Sequence, residues 1–458
     1  MTVVRSQEPG VGGREPEVTS TTRQSSLGQL IQRFRKYAEN AFWLMAEKGF
    51  ALAAGLIVGI YVARYLRPEA FGLLNYAISF VGIFSALSTI GLEQIIVREL
   101  AKYPERKDDL LGTGVMLRLA GSVVLIIVMG IFMLFMRQES FTTILIFIVA
   151  SAEIFKCFEV INYFYQSQVK SKHVVRTQMF INLAVSLAKI GMVLLQFPLI
   201  WFAIIVAINA VLNAAGYIFT YSRTSGTLKE WHFKKTLALQ LLRETWPLAL
   251  YGVALNIQAR IDQVMLGNLL NNYEVGQYSV ALKFIEIFGF VPMVLMSTFT
   301  PAVSKAKVQS EELYEARLVN FYRLMFVAFL AMSIPIYFFA EDVISWLYGA
   351  EYQAAGFLLS LFALRLFFSN MGVGKSIYIV NESMFSYSLL TVVIGAASNI
   401  LLNFFLIPAY GTVGAIAASM ISFTISIFIV DLFFKKAFRN LKLMIRGILS
   451  FWKLKEAI

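Results

Sequence analysis

Thirteen charged side chains stand inside long apolar runs of the sequence: Glu47, Lys48, Glu93, Arg118, Glu153, Lys156, Glu159, Lys189, Arg260, Asp262, Lys283, Glu286 and Arg365. In a run that crosses a bilayer each such charge costs about 2.5–3.5 kcal/mol at mid-depth on the insertion scale. The set must therefore pair internally or face water. Lys48, Glu93 and Arg118 lie near the ends of their runs, where a long side chain can snorkel to the surface and needs no functional reason. Lys156, Lys189, Arg260 and Arg365 lie near the middle of theirs, where snorkelling is hardest and a functional reason gains weight.

Spacing decides which charges can meet on one helix. Glu153, Lys156 and Glu159 step by three, as do Lys283 and Glu286, so each set can pair locally. Arg260 and Asp262 are two apart and point to different sides, so each needs a partner on another helix or in a cavity. Lys189 and Arg365 have no carboxylate in their own runs. Unpaired cations at mid-depth suit an anionic cargo, and a guanidinium suits phosphate because its fork donates two parallel hydrogen bonds.

The elements that hold these charges follow from composition. Of 458 residues 58% are apolar and 15% charged, well above the apolar share of about 45–50% in soluble domains. Runs of about 20 apolar residues suffice to cross the hydrocarbon as helices. Twelve are expected, near 40–63, 71–94, 112–136, 141–166, 177–196, 199–221, 247–266, 275–300, 324–340, 355–374, 386–406 and 412–434. The fold class is thus all-α and polytopic. Residues 1–39 are read as a cytoplasmic tail, 223–246 as a connector and 435–458 as a basic tail. Met1 to Ser26 are polar and lack a signal-peptide core, which predicts a disordered segment. Leu27, Leu30, Ile31, Phe34 and Tyr37 at helical spacing fit either a basic amphipathic helix on the membrane surface or an extension of the first span.

Net charge is +12, and its distribution orients the chain. With both termini inside, the inward segments hold 30 Lys and Arg, the outward loops only Arg64, Arg67 and Arg137, and the remaining 7 lie within runs. The positive-inside rule selects this topology in the cytoplasmic membrane and argues against nucleic acid as the reason for the charge. Lys375 is counted in an inward loop. Cys157 alone cannot form an internal disulfide, and His173 and His232 are too few for a metal cage, so no metal or other cofactor is expected. Gly372-Val-Gly-Lys375-Ser376 imitates a phosphate loop, but Ser369 replaces its first glycine and an apolar helix replaces its strand. ATP is not expected to bind, and no outward loop is large enough for a catalytic domain.

The twelve runs divide into two sets of six, 40–222 and 247–434. Phe71-Gly72 with Ala77 and Phe80 in the second run align with Val275-Gly276, Ala281 and Phe284 in the eighth, Gly, Ala and Phe coinciding at a constant offset of 204. Six is even, so such a repeat is parallel and its axis runs along the membrane normal. Pro292 and Pro335 are expected to kink their helices.

Longer strings carry a family likeness. Val62-Ala-Arg64-Tyr-Leu-Arg-Pro68-Glu-Ala-Phe71-Gly72-Leu-Leu-Asn-Tyr76, Ile96-Val-Arg98-Glu-Leu100, Tyr163-Phe-Tyr-Gln166 with Ser167 to Lys172, Trp246-Pro247, Arg260-Ile-Asp262-Gln263-Val-Met-Leu266-Gly267, Asn399-Ile-Leu-Leu-Asn403, Ile407-Pro408-Ala-Tyr410-Gly411 and Gly414-Ala415 occur in this order. Together they resemble polysaccharide biosynthesis flippases of the Wzx type, within the multidrug, oligosaccharidyl-lipid and polysaccharide exporter superfamily. The resemblance implies two six-helix lobes around a central cavity and no enzymatic activity. It implies ion-driven movement of a polyprenyl-diphosphate-linked oligosaccharide to the outer leaflet. Lipid-linked oligosaccharide, membrane lipid and other polysaccharide assembly proteins are the partners it implies. By this analogy Arg260, Arg365 and Lys189 would meet the diphosphate, with Lys156, Lys283 and Arg118 as further candidates. Asp262, Glu286 and Glu153 would carry a coupling proton or sodium. A multidrug exporter or a lipid II flippase of the same superfamily is the alternative.

Overall fold

A computed structural model describes residues 20–136 and 139–453, with side chains from residue 39 onward apart from residue 41. The expected tail over Met1 to Thr19, together with Arg137 and Lys455, lies outside the described residues. All regular structure among the described residues is helical. In chain order it comprises α1 (Ser20–Thr89), α2 (Leu92–Lys102), α3 (Lys107–Phe135), α4 (Ser140–Phe155), α5 (Val160–Ser167), α6 (Lys172–Leu194), α7 (Leu199–Thr224), α8 (Lys235–Leu269), α9 (Asn272–Phe288), α10 (Phe290–Gln309), α11 (Glu311–Tyr348), α12 (Gln353–Asn381), α13 (Phe385–Thr424) and α14 (Lys435–Ile448). Helix is already continuous from Ser20, so Ser20 to Ser26, expected in the disordered tail, are helical. The next segment extends the first span rather than forming a separate surface helix.

Among the described residues eight helical stretches are long and apolar enough to cross a membrane. The protein is a multi-pass membrane protein, and side chains such as Leu134, Phe135, Leu194 and Phe338, each more than 70% exposed, form its apolar exterior. The eight stretches differ from the twelve expected runs because some runs are joined. Phe42–Lys102 holds the first two and Phe385–Phe433 the last two. The fourth run is interrupted by a 3-10 turn at Lys156–Glu159, where its charges lie, and the seventh is diluted within the long, more polar α8.

Three other breaks fall beside proline or glycine. Arg67, at φ 61° and ψ 169°, interrupts α1 just before Pro68, and Gly411, at φ 59° and ψ −139°, interrupts α13 beyond Pro408. The expected kink at Pro292 is a break at Gly289, four residues earlier less one, between α9 and α10. Proline removes the helical hydrogen bond at that point. Pro335, by contrast, lies inside an unbroken α11.

The second part of α1 crosses α9 at the two glycines aligned in the sequence. A Cβ on Gly72 would lie 1.7 Å from the Asn272 carbonyl oxygen, and one on Gly276 would lie 2.1 Å from the Pro68 carbonyl oxygen. Pro68 and Asn272 are themselves 204 residues apart, so each helix presents the same position to the other. Backbone cannot yield as a side chain can. Gly72→Ala or Gly276→Ala is therefore expected to cost about 1–3 kcal/mol or more by overpacking, read as a lower melting temperature of the purified protein. Unchanged melting in both variants would show that the crossing is not tight.

Further ties lie at the same end. Arg64 Nη2 donates to the Trp346 carbonyl at 2.7 Å, Tyr352 donates to the Ala63 carbonyl at 2.9 Å, and Arg67 lies 3.6 Å from Glu351. At the opposite end Arg98 bonds Glu244 at 2.5 Å, and that hydrogen bond holds the Glu244 carboxyl below the usual carboxylate range.

Two sequence expectations need correction in this frame. Lys375 is no loop cation. It sits inside α12 with its side chain only 6% exposed, paired with the fully buried Asp431. Its Nζ also donates to the Ser426 and Ile427 carbonyls at 3.2 and 3.1 Å. Those carbonyls belong to a π-helical turn, Ile425–Ile429, whose widened register leaves acceptors available. Tyr387 donates to the same Asp431 oxygen. Residues 435–448, expected as a tail, form α14, which packs on α11 where Tyr322 donates to Asn440 at 2.7 Å.

Candidate functional site

Lys189 on α6 and Lys283 on α9 share two adjoining cavities of about 130 and 300 Å³, walled by Gly55, Gly59 and Phe71 of α1. At the two glycines the wall carries no side chain. Lys283 Nζ lies 4.7 Å from the centre of the Phe71 ring, a cation–π contact. Glu286 lines the larger cavity. The expected local pairing of Lys283 with Glu286 does not form, because the lysine side chain turns to Phe71 while Glu286 is exposed. The charged groups acting electrostatically on Lys283 are Lys189, Glu286 and Arg260. Arg260 is half-buried with its stem over Gly82, at 3.6 Å from a Cβ built there. Among the described residues Lys189, Lys283 and Arg260 have no hydrogen bond and no ion pair.

Asp262, two residues further along α8, faces the other way, as the spacing predicts. It is 4% exposed and accepts three hydrogen bonds, from Tyr278 of α9 at 2.5 Å and from Asn403 and Ser419 of α13 at 2.7 and 2.5 Å. Beside it the carbonyl oxygens of Asn399 and Asn403 are buried and have no hydrogen-bond partner. Turning the Asn403 amide over would not help, since its Nδ2 is needed by the carboxylate. Idle side-chain amide oxygens on two residues of the same network as a carboxylate are ligands of the kind a hard cation takes. Arg365 stands apart from the two lysines, its guanidinium 5.6 and 5.4 Å from the Phe362 and Phe423 rings, and it acts electrostatically on Tyr278.

The remaining candidates are engaged elsewhere. Arg118 does not snorkel. It is 1% exposed, bonding Glu159 at 2.9 Å and the Tyr163 hydroxyl at 2.6 Å. Lys156 pairs with Glu153 at 2.6 Å, and Glu153 also accepts from Ser88 at 2.7 Å. Local pairing accounts for Lys156 and Glu153, so neither is free as a site in this conformation. Their network borders a third cavity of about 330 Å³ whose walls carry Glu47, Gln178, Asn182, Asn209, Asn213 and Tyr217.

Charge-led reading singles out Lys189, Lys283, Arg260 and Asp262 and passes over the amides. Asn399 and Asn403 drew notice only as part of a family string. The signal that could have found Gln178, Asn182, Asn209 and Asn213 is their recurrence every four residues on otherwise apolar helices.

Comparison with known proteins agrees with this architecture. A family model described as polysaccharide biosynthesis protein matches residues 37–307. The capsular polysaccharide biosynthesis protein CapF of Staphylococcus aureus is 22% identical over 411 residues, covering 85% of this chain and 96% of that protein. "Probable low-salt glycan biosynthesis flippase Agl15" of Haloferax volcanii is 24% identical over 215 residues, 45% of this chain and 43% of that protein, so this match spans less than half of either. Among solved structures, an inward-facing multidrug resistance MATE transporter of the MOP superfamily superposes with a TM-score of 0.62 at 14% identity, covering 89% of this chain and 96% of that one. Lipid II flippase MurJ in an inward closed conformation gives 0.58 at 14% identity, with 90% and 98% covered. At such identity these structures show the fold alone.

Proposed function

Because the chain belongs to the polysaccharide biosynthesis protein family, whose model covers more than half of it, we propose that it flips a polyprenyl-diphosphate-linked oligosaccharide across the cytoplasmic membrane. The activity is transport. The observation that carries the reading is the pair Lys189 and Lys283, two cations that make no ion pair among the described residues and face common cavities between α1, α6 and α9. A diphosphate supplies the charge they lack, and Arg260 adds a fork at the edge of the site.

Twelve spans in two six-helix lobes, residues 40–222 and 247–434, with both termini cytoplasmic, complete the proposal. The reciprocal fit of Gly72 and Gly276 supports the repeat, and the bias of 29 inward cations, Lys375 set aside, to 3 outward ones supports the orientation. In that orientation the glycine crossing closes the outer end. Rocking of one lobe against the other would open it and expose the lysines to the outer leaflet. Asp262 with Asn399 and Asn403 is proposed as the site of a coupling cation, since binding there would satisfy the two idle carbonyls and tie α8 to α13.

Full-length protein in liposomes that hold undecaprenyl-diphosphate-linked N,N′-diacetylchitobiose tests the reading. The sugar should become accessible to an externally added glycosidase faster than in protein-free liposomes. Equal rates would refute it.

A further inference from the structure

Polar side chains mark one face of α6 at Gln178, Asn182, Ser186 and Lys189, successive steps of four, four and three. Residues so spaced share a face. The opposite face carries Phe180, Leu183 and Leu187, each 46% exposed or more, so α6 turns apolar groups outward and its polar stripe into the protein. On α7 Asn209, Asn213 and Tyr217 repeat at four and face the same space. Gln178 and Asn182 line the cavity of about 330 Å³, whereas Ser186 and Lys189 line the neighbouring cationic one, and Val206 belongs to both walls. The stripe thus leads from the basic-loop end of α6 to Lys189 over about 16 Å of helix.

Several polar atoms on this path are idle. Asn182 makes no hydrogen bond among the described residues. Asn213 gives its Nδ2 to the Asn209 carbonyl and side-chain oxygens at 2.8 and 2.9 Å, leaving Asn213 Oδ1 and Asn209 Nδ2 unused. Gln178 spends one donor on the Tyr217 hydroxyl at 2.6 Å. Non-charged donors and acceptors side by side match hydroxyl and acetamido groups, which also offer both. The charges around the cavity do not favour an acidic ligand. Lys156 is neutralised by Glu153 and Glu159 by Arg118, which leaves Glu47, with Lys48 acting on it from outside the cavity lining, as the wall's charge beyond these pairs. A carboxylate there repels a uronic acid.

We propose that the amide stripe of α6 and α7 is a sugar track that binds the first, uncharged sugars attached to the diphosphate. This rests on the reading of Lys189 and Lys283 as the diphosphate site and adds what determines specificity beyond it. The diphosphate is seated at the lysines while the glycan runs back along Ser186, Asn182 and Asn213.

Binding to purified full-length protein in nanodiscs tests it with three ligands: undecaprenyl diphosphate, the same lipid carrying N,N′-diacetylchitobiose, and the same lipid carrying digalacturonate. The neutral disaccharide should tighten binding about tenfold over the bare lipid, and the acidic one should give no gain. In Asn182→Leu/Asn213→Leu the ratio of neutral-sugar to bare-lipid affinity should fall to about one. In Lys189→Ala/Lys283→Ala affinity for all three should fall while that ratio persists. A ratio unchanged by the asparagine variant, or an equal gain from the acidic sugar, overturns the track and leaves the diphosphate site standing. Binding of none of the three overturns both.

Discussion

Replacing Lys189 and Lys283 together by alanine is expected to slow flipping of a lipid-linked diphosphate by a hundredfold or more while making the protein more stable. The two effects have one cause. Each lysine contributes a charge-assisted hydrogen bond to the cargo, about 1.5–3 kcal/mol apiece, and two such losses exceed the ~2.7 kcal/mol that corresponds to a hundredfold. In the empty protein the same cations make no ion pair, Glu286 acting on Lys283 only from a distance, so removing them relieves a desolvation cost and their mutual repulsion. Loss of activity with gain of stability is the mark of a functional site. A structural pair would lose both. Flipping in liposomes and thermal melting of the same preparation provide the two readings, and reduced stability in the double variant would assign the lysines to folding instead. Arginine at both positions should restore part of the activity because charge is kept while reach and shape change.

The second large effect is expected at the buried ion pair between α12 and the 3-10 turn Val430–Phe433 that follows α13. Lys375→Met leaves Asp431, fully buried, without its cation, and one of its oxygens already lacks any partner. Breaking such a pair from one side costs about 3–5 kcal/mol. It also frees the Ser426 and Ile427 carbonyls that the ammonium holds. Lys375→Met/Asp431→Leu should recover much of the loss, because no buried charge then remains. The melting temperature of the three proteins decides it. A single variant as stable as the original would mean that water reaches the pair.

Much of the helical layout was legible because bilayer thickness imposes run length and because proline and glycine interrupt helices for local reasons, as at Pro68, Pro292 and Gly411. Gly72 and Gly276, aligned in the sequence as a repeat, prove to meet at a crossing, where the close approach of two backbones leaves no room for a Cβ. Charges were harder. Spacing of three allowed a Lys283–Glu286 pair, but the neighbouring Phe71 offered the lysine another partner, and sequence does not reveal what a different helix brings. Arg118 was placed near a surface by its position in the run, whereas Glu159 and Tyr163 hold it inside. Lys375 was assigned to a loop because hydropathy falls there, although α12 continues to Asn381. The amides escaped because they carry no net charge, and their cost and value depend on whether they face a cavity.

If the two lysines seat a diphosphate, as proposed, they would also make one half of the transport cycle electrogenic. They would bring two positive charges to an empty site, and a bound diphosphate, carrying about two negative ones, would cancel them. Transmembrane voltage acts on net charge, at about 2.3 kcal/mol per elementary charge per 100 mV. The loaded protein would therefore reorient with little regard to voltage. The empty protein would be drawn back to its inward state by an interior-negative membrane, so voltage would power the reset rather than the delivery.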